Sequence, residues 1–302
     1  MAEPPRIFDR VLLRSRRRRA LRAEPADFLL RRVADELVQR LLVVKRSFTL
    51  AADIGTPGPA LRSMMRAQAI APVVIGIDPL AHDIRGGESL LVAADEEALP
   101  FADGSLDLAV SALALQAVND LPGALVQIRR ALKPDGLFLG ALLGGDTLAE
   151  LRQSFAAAEA EVEGGVSPRV APFADLRDVG ALLQRAGYAL PVVDTDRLTV
   201  RYATAFDLMR DLRAMAMTNS LVERRRVPLK RATLLRMAEI YAERFSDLDG
   251  RLRASFDIVW LSGWAPHESQ QQPLRPGSAK ARLADALKTI ELPAGEKARD
   301  GS

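Results

Sequence analysis

The chain has 302 residues, 48% apolar and 27% charged, the make-up of a globular protein with a core of its own. Its 42 basic side chains stand against 39 acidic ones, and a formal charge of +3 gives no ground for a nucleic-acid partner. Cysteine is absent, which excludes disulfides, thiolate metal sites and a cysteine nucleophile; two separated histidines, His82 and His267, make a zinc or iron site a poor expectation.

Residues 1–47 read as a basic helical cap. Five arginines lie between Arg14 and Arg19, and Phe28, Leu29, Leu30, Val33, Leu37, Leu41 and Leu42 follow at helical spacing. The arginine run is expected as a solvated helix face; recognition of an acidic partner or a phosphate is the alternative. The acids Glu3, Asp9, Glu24, Asp27, Asp35 and Glu36 argue against a transit peptide. No apolar run approaches the ~20 residues a membrane span requires, so stable membrane insertion is not expected and a reducing, cytoplasmic setting is.

From 48 to 143 the pattern alternates strand and helix. Phe48 to Ile54 reads as a buried strand, Gly55-Thr56-Pro57-Gly58-Pro59 as a tight turn, and Ala60 onward as a helix. Such a junction brings backbone N–H groups and a positive dipole end to a ligand. A second apolar run, Val73 to Ile77, ends in Asp78, where a βαβ unit usually grips a ribose diol. Together these features suggest a nucleoside-containing cofactor. The turn departs from three alternating glycines, because Pro57 and Pro59 hold two of those places and proline has no N–H to donate. Each missing donor weakens a ligand by ~1–3 kcal/mol, and an ordinary strand-to-helix turn remains the alternative.

Further strands are expected at Ser89–Asp95, Ser105–Ser111 and Gly136–Leu143, with an amphipathic helix from Leu121 to Leu132 closed by a turn at Lys133–Gly136. Five strands with helical crossovers predict a largely parallel α/β sheet covered on both faces. Thr147 to Val162 reads as a helix with Asp146 as N-cap, and Ala174 to Ala186 as another. Pro191–Asp194 and Leu198–Tyr202 look like an antiparallel hairpin at the sheet edge. Helices at about 205–217 and 229–245 and a last strand from Phe256 to Trp264 complete the chain, and a polar, disordered tail is expected from 266 to 302. The domain reading is a core at 48–204 with a C-terminal helical insertion and final strand at 205–265.

The segments Asp53-Ile54-Gly55, Asp78, Ala94 through Asp107 and Arg129 through Gly136 resemble class I S-adenosylmethionine-dependent methyltransferases over about 48–143. That resemblance implies a Rossmann-like, mostly parallel sheet with an antiparallel strand at one edge. Val118 through Leu125, Gly144 through Arg152, Glu163 through Pro168, Asp207 through Met215, Trp264 through Gln270 and Phe8-Asp9-Arg10 resemble bacterial relatives of a mitochondrial complex I assembly factor, across nearly the whole chain. The first half is also similar to the malonyl carrier-protein methyltransferase of biotin synthesis.

The resemblance implies an S-adenosylmethionine cofactor held by Asp53, Gly55, Gly58, Asp78, Asp95 and Glu96. Gly55 would let the backbone approach the methionine moiety, with Asp53 beneath it near the ammonium. Asp78 would accept both ribose hydroxyls, and Asp95 with Glu96 would lie at the adenine edge. Bland alternatives are a turn for Asp95 and Asp103, and a helix N-cap for Asn119 or Asp120. No catalytic residue is indicated; Asp146 is a candidate substrate contact. The implied function is methylation of a protein client, an iron–sulfur subunit of complex I. Its alternatives are a non-catalytic assembly factor, the arginine hydroxylation of the mitochondrial member, and methylation of a carrier-protein carboxyl group. Relatives tend to carry His-Trp where this chain has Gln116-Ala117, which removes the natural acid/base group from that position. Nothing here supplies a facial metal triad.

Overall fold

The computed structural model describes residues 6–23, 26–83 and 90–271 and the isolated positions 285, 288 and 289. Two helices lead. α1 (Arg10–Ala20) starts at Asp9, whose carboxylate accepts the Leu12 N–H at 3.0 Å, and it buries no residue. α2 (Phe28–Leu42) buries Leu29, Val33, Leu37 and Leu41 along one stripe, as its spacing predicts.

The alternating region then runs β1 (Leu50–Ile54), α3 (Ala60–Ala67), β2 (Val73–Ile77), β3 (Leu90–Val92), β4 (Leu106–Ala112), α4 (Leu121–Ala131) and β5 (Leu132–Leu143). The second half runs α5 (Ala149–Glu163), α6 (Leu176–Arg185), β6 (Ala189–Tyr202), α7 (Ala205–Ala214), α8 (Arg231–Phe245) and β7 (Leu252–Trp264). All seven strands form one sheet in the order β3-β2-β1-β4-β5-β7-β6. β1 to β5 pair in parallel, and β7 pairs antiparallel with both β5 and β6. This is the expected α/β sheet with its antiparallel edge.

Both faces are covered, so the central strands are apolar on both sides. In β4, Leu108, Val110 and Ala112 join one core cluster and Ala109 the other. α2, α3, α5 and α8 contribute to the first cluster, and α4 and α6 to the second. Each fully buried leucine is worth about 1.5–3 kcal/mol over exposure, which makes the sheet a rigid platform for whatever its loops carry. Among the described residues no helix is long and apolar enough to cross a membrane.

Three local expectations are corrected. The hairpin at 191–202 is one continuous strand, β6, paired with β7 from Val192↔Ser262 to Tyr202↔Leu252. Asp194-Thr195-Asp196-Arg197 contains no Gly, Pro or Asn to turn the chain, and a long partner strand keeps it extended. The turn at Lys133–Gly136 is a kink inside β5, with Asp135 at φ +62°. The strand expected at Ser89–Asp95 is only Leu90–Val92, and Ser89 lies outside the described residues. Most of the expected polar tail lies outside them too.

Candidate functional site

The strand order reverses between β1 and β4, so the connections leaving their carboxyl ends diverge and open a crevice there. Gly55 opens the β1 connection with φ +73°, and its N–H donates to the Ile77 carbonyl at 2.8 Å. A Cβ on Gly55 would stand 2.5 Å from Cγ of Glu96, so the position requires glycine for space as well as for φ. Thr56 is buried and its hydroxyl accepts the Ala112 N–H at 2.9 Å; the Ser111 hydroxyl donates to the Ile54 carbonyl at 2.8 Å. These bonds pin the turn to the end of β4. Gly58 has φ +72° with no atom within 4 Å of where a Cβ would stand.

In front of the turn lies a cavity of about 720 Å³. Gly55, Gly58 and Glu96 line it, three of the six residues that the resemblance implies for a cofactor. Leu148, Leu151, Phe155, Met209 and Met217 give it an apolar interior. Asp53, Asp78 and Asp95 are not among its lining residues. Each is screened by an arginine.

Asp53 lies behind the turn, wholly buried, and accepts from Nη1 of Arg62 at 2.6 Å; Arg62 is buried as well. Burial pushes the Asp53 carboxyl up to about 6, against the opposing pull of Arg62. Asp78 sits at the tip of β2, also wholly buried. Its Oδ1 accepts the Leu80 N–H at 2.8 Å and its Oδ2 accepts Nη2 of Arg17 at 2.7 Å. Asp95 accepts Nη2 of Arg10 at 2.6 Å, the Glu97 N–H at 3.0 Å and a guanidinium N–H of Arg14. Burial would raise the Asp95 carboxyl, but the Glu97 N–H, Arg10 and Arg14 together hold it below its ordinary value. Glu96 accepts from Arg10 and lies 3.7 Å from Arg17; burial keeps its carboxyl above the ordinary value despite both cations.

The arginine run is therefore solvated only in part: Arg18 and Arg19 are exposed, while Arg14 and Arg17 meet the crevice acids. Arg10, Arg14 and Arg17 recur at i, i+4 and i+7 and so share one side of the helix, which lies on the acids of the crevice. The start of α1 is fixed by Asn119, whose side-chain oxygen accepts the Ile7 and Phe8 N–H groups at 2.9 and 2.7 Å. Asn119 is thus a clamp on the N-terminal segment, while Asp120 is the N-cap of α4 and accepts the Gly123 N–H at 2.8 Å. This clamp was missed in the sequence. The spacing of the three arginines was its one legible signal.

Asp146 is neither an N-cap nor a lining residue of the cavity. Thr147 bonds to the Asp257 backbone through both its donor and its acceptor, which delays the helix until Leu148 caps it at φ +56°. Asp146 instead pairs with Arg197 of β6 at 2.8 Å. Gln116 lines the cavity, and its amide donates to the Leu113 carbonyl at 2.7 Å while its oxygen is buried without a partner. Among the described residues no group of three or more His, Asp or Glu side chains is placed to hold a metal ion.

An S-adenosyl group fits this site in two respects: the glycine turn permits close backbone approach, and Glu96, on the loop after β3, lines the cavity beside that turn. In one respect it meets an occupant. Arg17 already takes Oδ2 of the acid a ribose would use.

Residues 52–140 match the methyltransferase domain family. The chain is similar to the arginine-hydroxylase NDUFAF5 of Rattus norvegicus, a mitochondrial protein, at 40% identity over 92% of this chain and 83% of that one. It is also similar to the malonyl-[acyl-carrier protein] O-methyltransferase of Laribacter hongkongensis, at 33% identity over 86% of this chain and 90% of that one. Among solved structures, the YcgJ protein of Bacillus subtilis superposes with a TM-score of 0.51 at 14% identity, covering 77% of this chain and 99% of that chain, a likeness of fold alone. The chain belongs to the NDUFAF5 family of methyltransferase-fold proteins.

Proposed function

We propose that this protein binds S-adenosylmethionine at the Gly55 turn, that it methylates an acceptor entering the cavity, and that the acceptor belongs to a protein client in complex I assembly. The observation that carries the cofactor reading is the geometry of Gly55 and Asp78 at the neighbouring tips of β1 and β2, beside the reversal of strand order between β1 and β4, with Glu96 against the glycine. In this reading Gly55 and Gly58 admit the ligand to the backbone, and Asp78 accepts the ribose hydroxyls. Asp95 and Glu96 face the adenine edge. Asp53 acts through Arg62, which holds the turn and α3 together.

When bound, the cofactor supplies a methyl group already activated on a sulfonium, so a nucleophile that is itself anionic needs no strong base. The chain's own work is alignment and exclusion of water. Leu148, Phe155 and Met217 keep the cavity dry, and α1 covers the crevice. Both oxygens of Asp78 are engaged, so Arg17 must release or share one for a ribose to dock.

The similarity to proteins named arginine-hydroxylase favours a second reading, hydroxylation of a client arginine, and the 33% relatives favour a third, methylation of a carrier-protein carboxyl group. Charge does not decide between them: eight arginines line the cavity, but six of these are paired with a carboxylate. The deciding experiment is calorimetric titration with S-adenosylmethionine beside an Asp78→Ala control. Micromolar binding that the control loses supports the cofactor reading; a folded protein that gives no heat overturns it. Capture of an iron–sulfur subunit of complex I then tests the client.

A further inference from the structure

Two neighbouring parts of the N-terminal segment are attached by different forces. Residues 7–9 are built into the core. Phe8 is buried, and the Asn119 oxygen accepts the Ile7 and Phe8 N–H groups. The Asp9 N–H donates to the Ser220 carbonyl at 2.8 Å, and the Ile7 carbonyl accepts the Val222 N–H at 2.9 Å. The Asp9 carboxylate also pairs with Arg224 at 3.1 Å.

α1 is held otherwise. It buries no residue, and its apolar Leu12 and Leu13 are only half-buried. Arg10 pairs with Asp95 and Glu96, Arg14 with Asp95, Arg17 with Asp78 and Arg18 with Asp83. Those four acids lie on the connections that leave β2 and β3. One further guanidinium, that of Arg16, donates to the Asn219 carbonyl. Backbone bonds and a buried phenylalanine hold in salt, whereas ion pairs within reach of water weaken. A firm tether therefore leads into a helix fixed mainly by charge, the arrangement of a hinge and a moving part.

What the arginines occupy gives the moving part its role. Asp78 offers no free oxygen while Arg17 and the Leu80 N–H hold it, and Arg10 spans Asp95 and Glu96. We propose that α1 is a strap that swings on residues 7–9. Closed, its arginines stand on Asp78, Asp95 and Glu96; open, it surrenders those acids to a ligand. Strap and ligand compete for the same oxygens, so ligand affinity follows the fraction of chain that is open. The inference rests on the cofactor reading only in naming the ligand; the hinge and the ion pairs stand without it.

Arg18 and Asp83 provide a lock, since they join the strap to the body at 2.8 Å, are partly exposed, and serve no proposed cofactor contact. The chain has no cysteine, so Arg18→Cys with Asp83→Cys introduces a unique pair of thiols. A short bis-maleimide with a reducible bond then ties the strap shut. S-adenosylhomocysteine is titrated calorimetrically into this double variant before cross-linking, after it, and after reduction of the linker. The locked form should bind at least tenfold more weakly, with recovery on reduction. Equal affinity in the locked and free forms overturns the proposal. A second readout uses the unaltered chain: trypsin cleavage within α1, scaled to an unstructured reporter peptide. Cutting should quicken at least threefold between about 0.05 M and about 0.5 M sodium chloride, and again on adding S-adenosylhomocysteine. Protection by the ligand, or a rate indifferent to salt, overturns the strap. If no form gives heat with S-adenosylhomocysteine, the cofactor reading falls, and the salt response of cutting alone decides whether the helix opens.

Discussion

Arg17 of α1 donates to Oδ2 of Asp78 at 2.7 Å, joining the arginine run to the acid at the tip of β2. The acid is wholly buried and the arginine nearly so. A ligand that takes Asp78 must therefore compete with an internal cation.

Arg17→Gln should make the fold weaker and the site stronger at once. Removing one partner of a buried pair leaves a charge without compensation, at a cost of about 3 kcal/mol, and the melting temperature should fall. With Asp78 freed, S-adenosylmethionine should bind about tenfold tighter by calorimetry, equivalent to about 1.4 kcal/mol. Weaker binding in this variant would mean that Arg17 helps to hold the ligand.

Gly55→Ala and Gly58→Ala separate backbone strain from lost space. Both glycines have φ above +70°, so alanine costs about 1 kcal/mol at either. At Gly58 nothing stands near a new Cβ, and that cost should be the whole effect on stability. At Gly55 the Cβ also displaces Glu96. Gly55→Ala should therefore lose cofactor binding more than tenfold, measured by the same titration, and Gly58→Ala much less.

Asn119→Ala tests the clamp on the N-terminal segment. Two backbone N–H groups, of Ile7 and Phe8, lose their acceptor, at roughly 1–3 kcal/mol. α1 buries no residue and keeps the Arg10, Arg14 and Arg17 ion pairs in this variant, so the loss should stay local to the segment before it. Trypsin should cut the arginine run at least several-fold faster in this variant, while the global melting curve moves little. An unchanged cutting rate would remove Asn119 from the role of clamp.

The platform was legible because its signals are local. A run such as Leu106 to Ala112 reads as a strand buried on two faces, and a glycine after an apolar strand reads as a turn. Asp78 could be placed at a strand tip by counting alone. What the acids meet could not be read this way: Arg17 and Asp78 are 61 residues apart, and Ile7 and Asn119 are 112 apart. An arginine run carries its periodicity in the sequence but not the identity of the surface opposite. The hairpin expected at 191–202 failed for a local reason, since no Gly, Pro or Asn lies between Asp194 and Leu198.

Asp53 and Arg62 give a prediction that turns on pH. The folded chain holds the Asp53 proton more tightly than the unfolded chain does, because burial raises its carboxyl from 3.8 to about 6. This group's contribution to stability is thus fully present below about 4 and is lost as pH rises through about 6. The loss amounts to roughly 2–3 kcal/mol. The double change Asp53→Asn, Arg62→Met removes both charges and with them this pH dependence. Urea unfolding of the unaltered and double-variant chains between pH 4 and pH 7 isolates the pair: the unaltered chain should lose ground to the variant as pH rises. A constant difference would mean that Asp53 stays ionised throughout. If the double variant still binds S-adenosylmethionine, Asp53 supports the turn from behind; if binding vanishes from a folded protein, its carboxylate reaches the ligand.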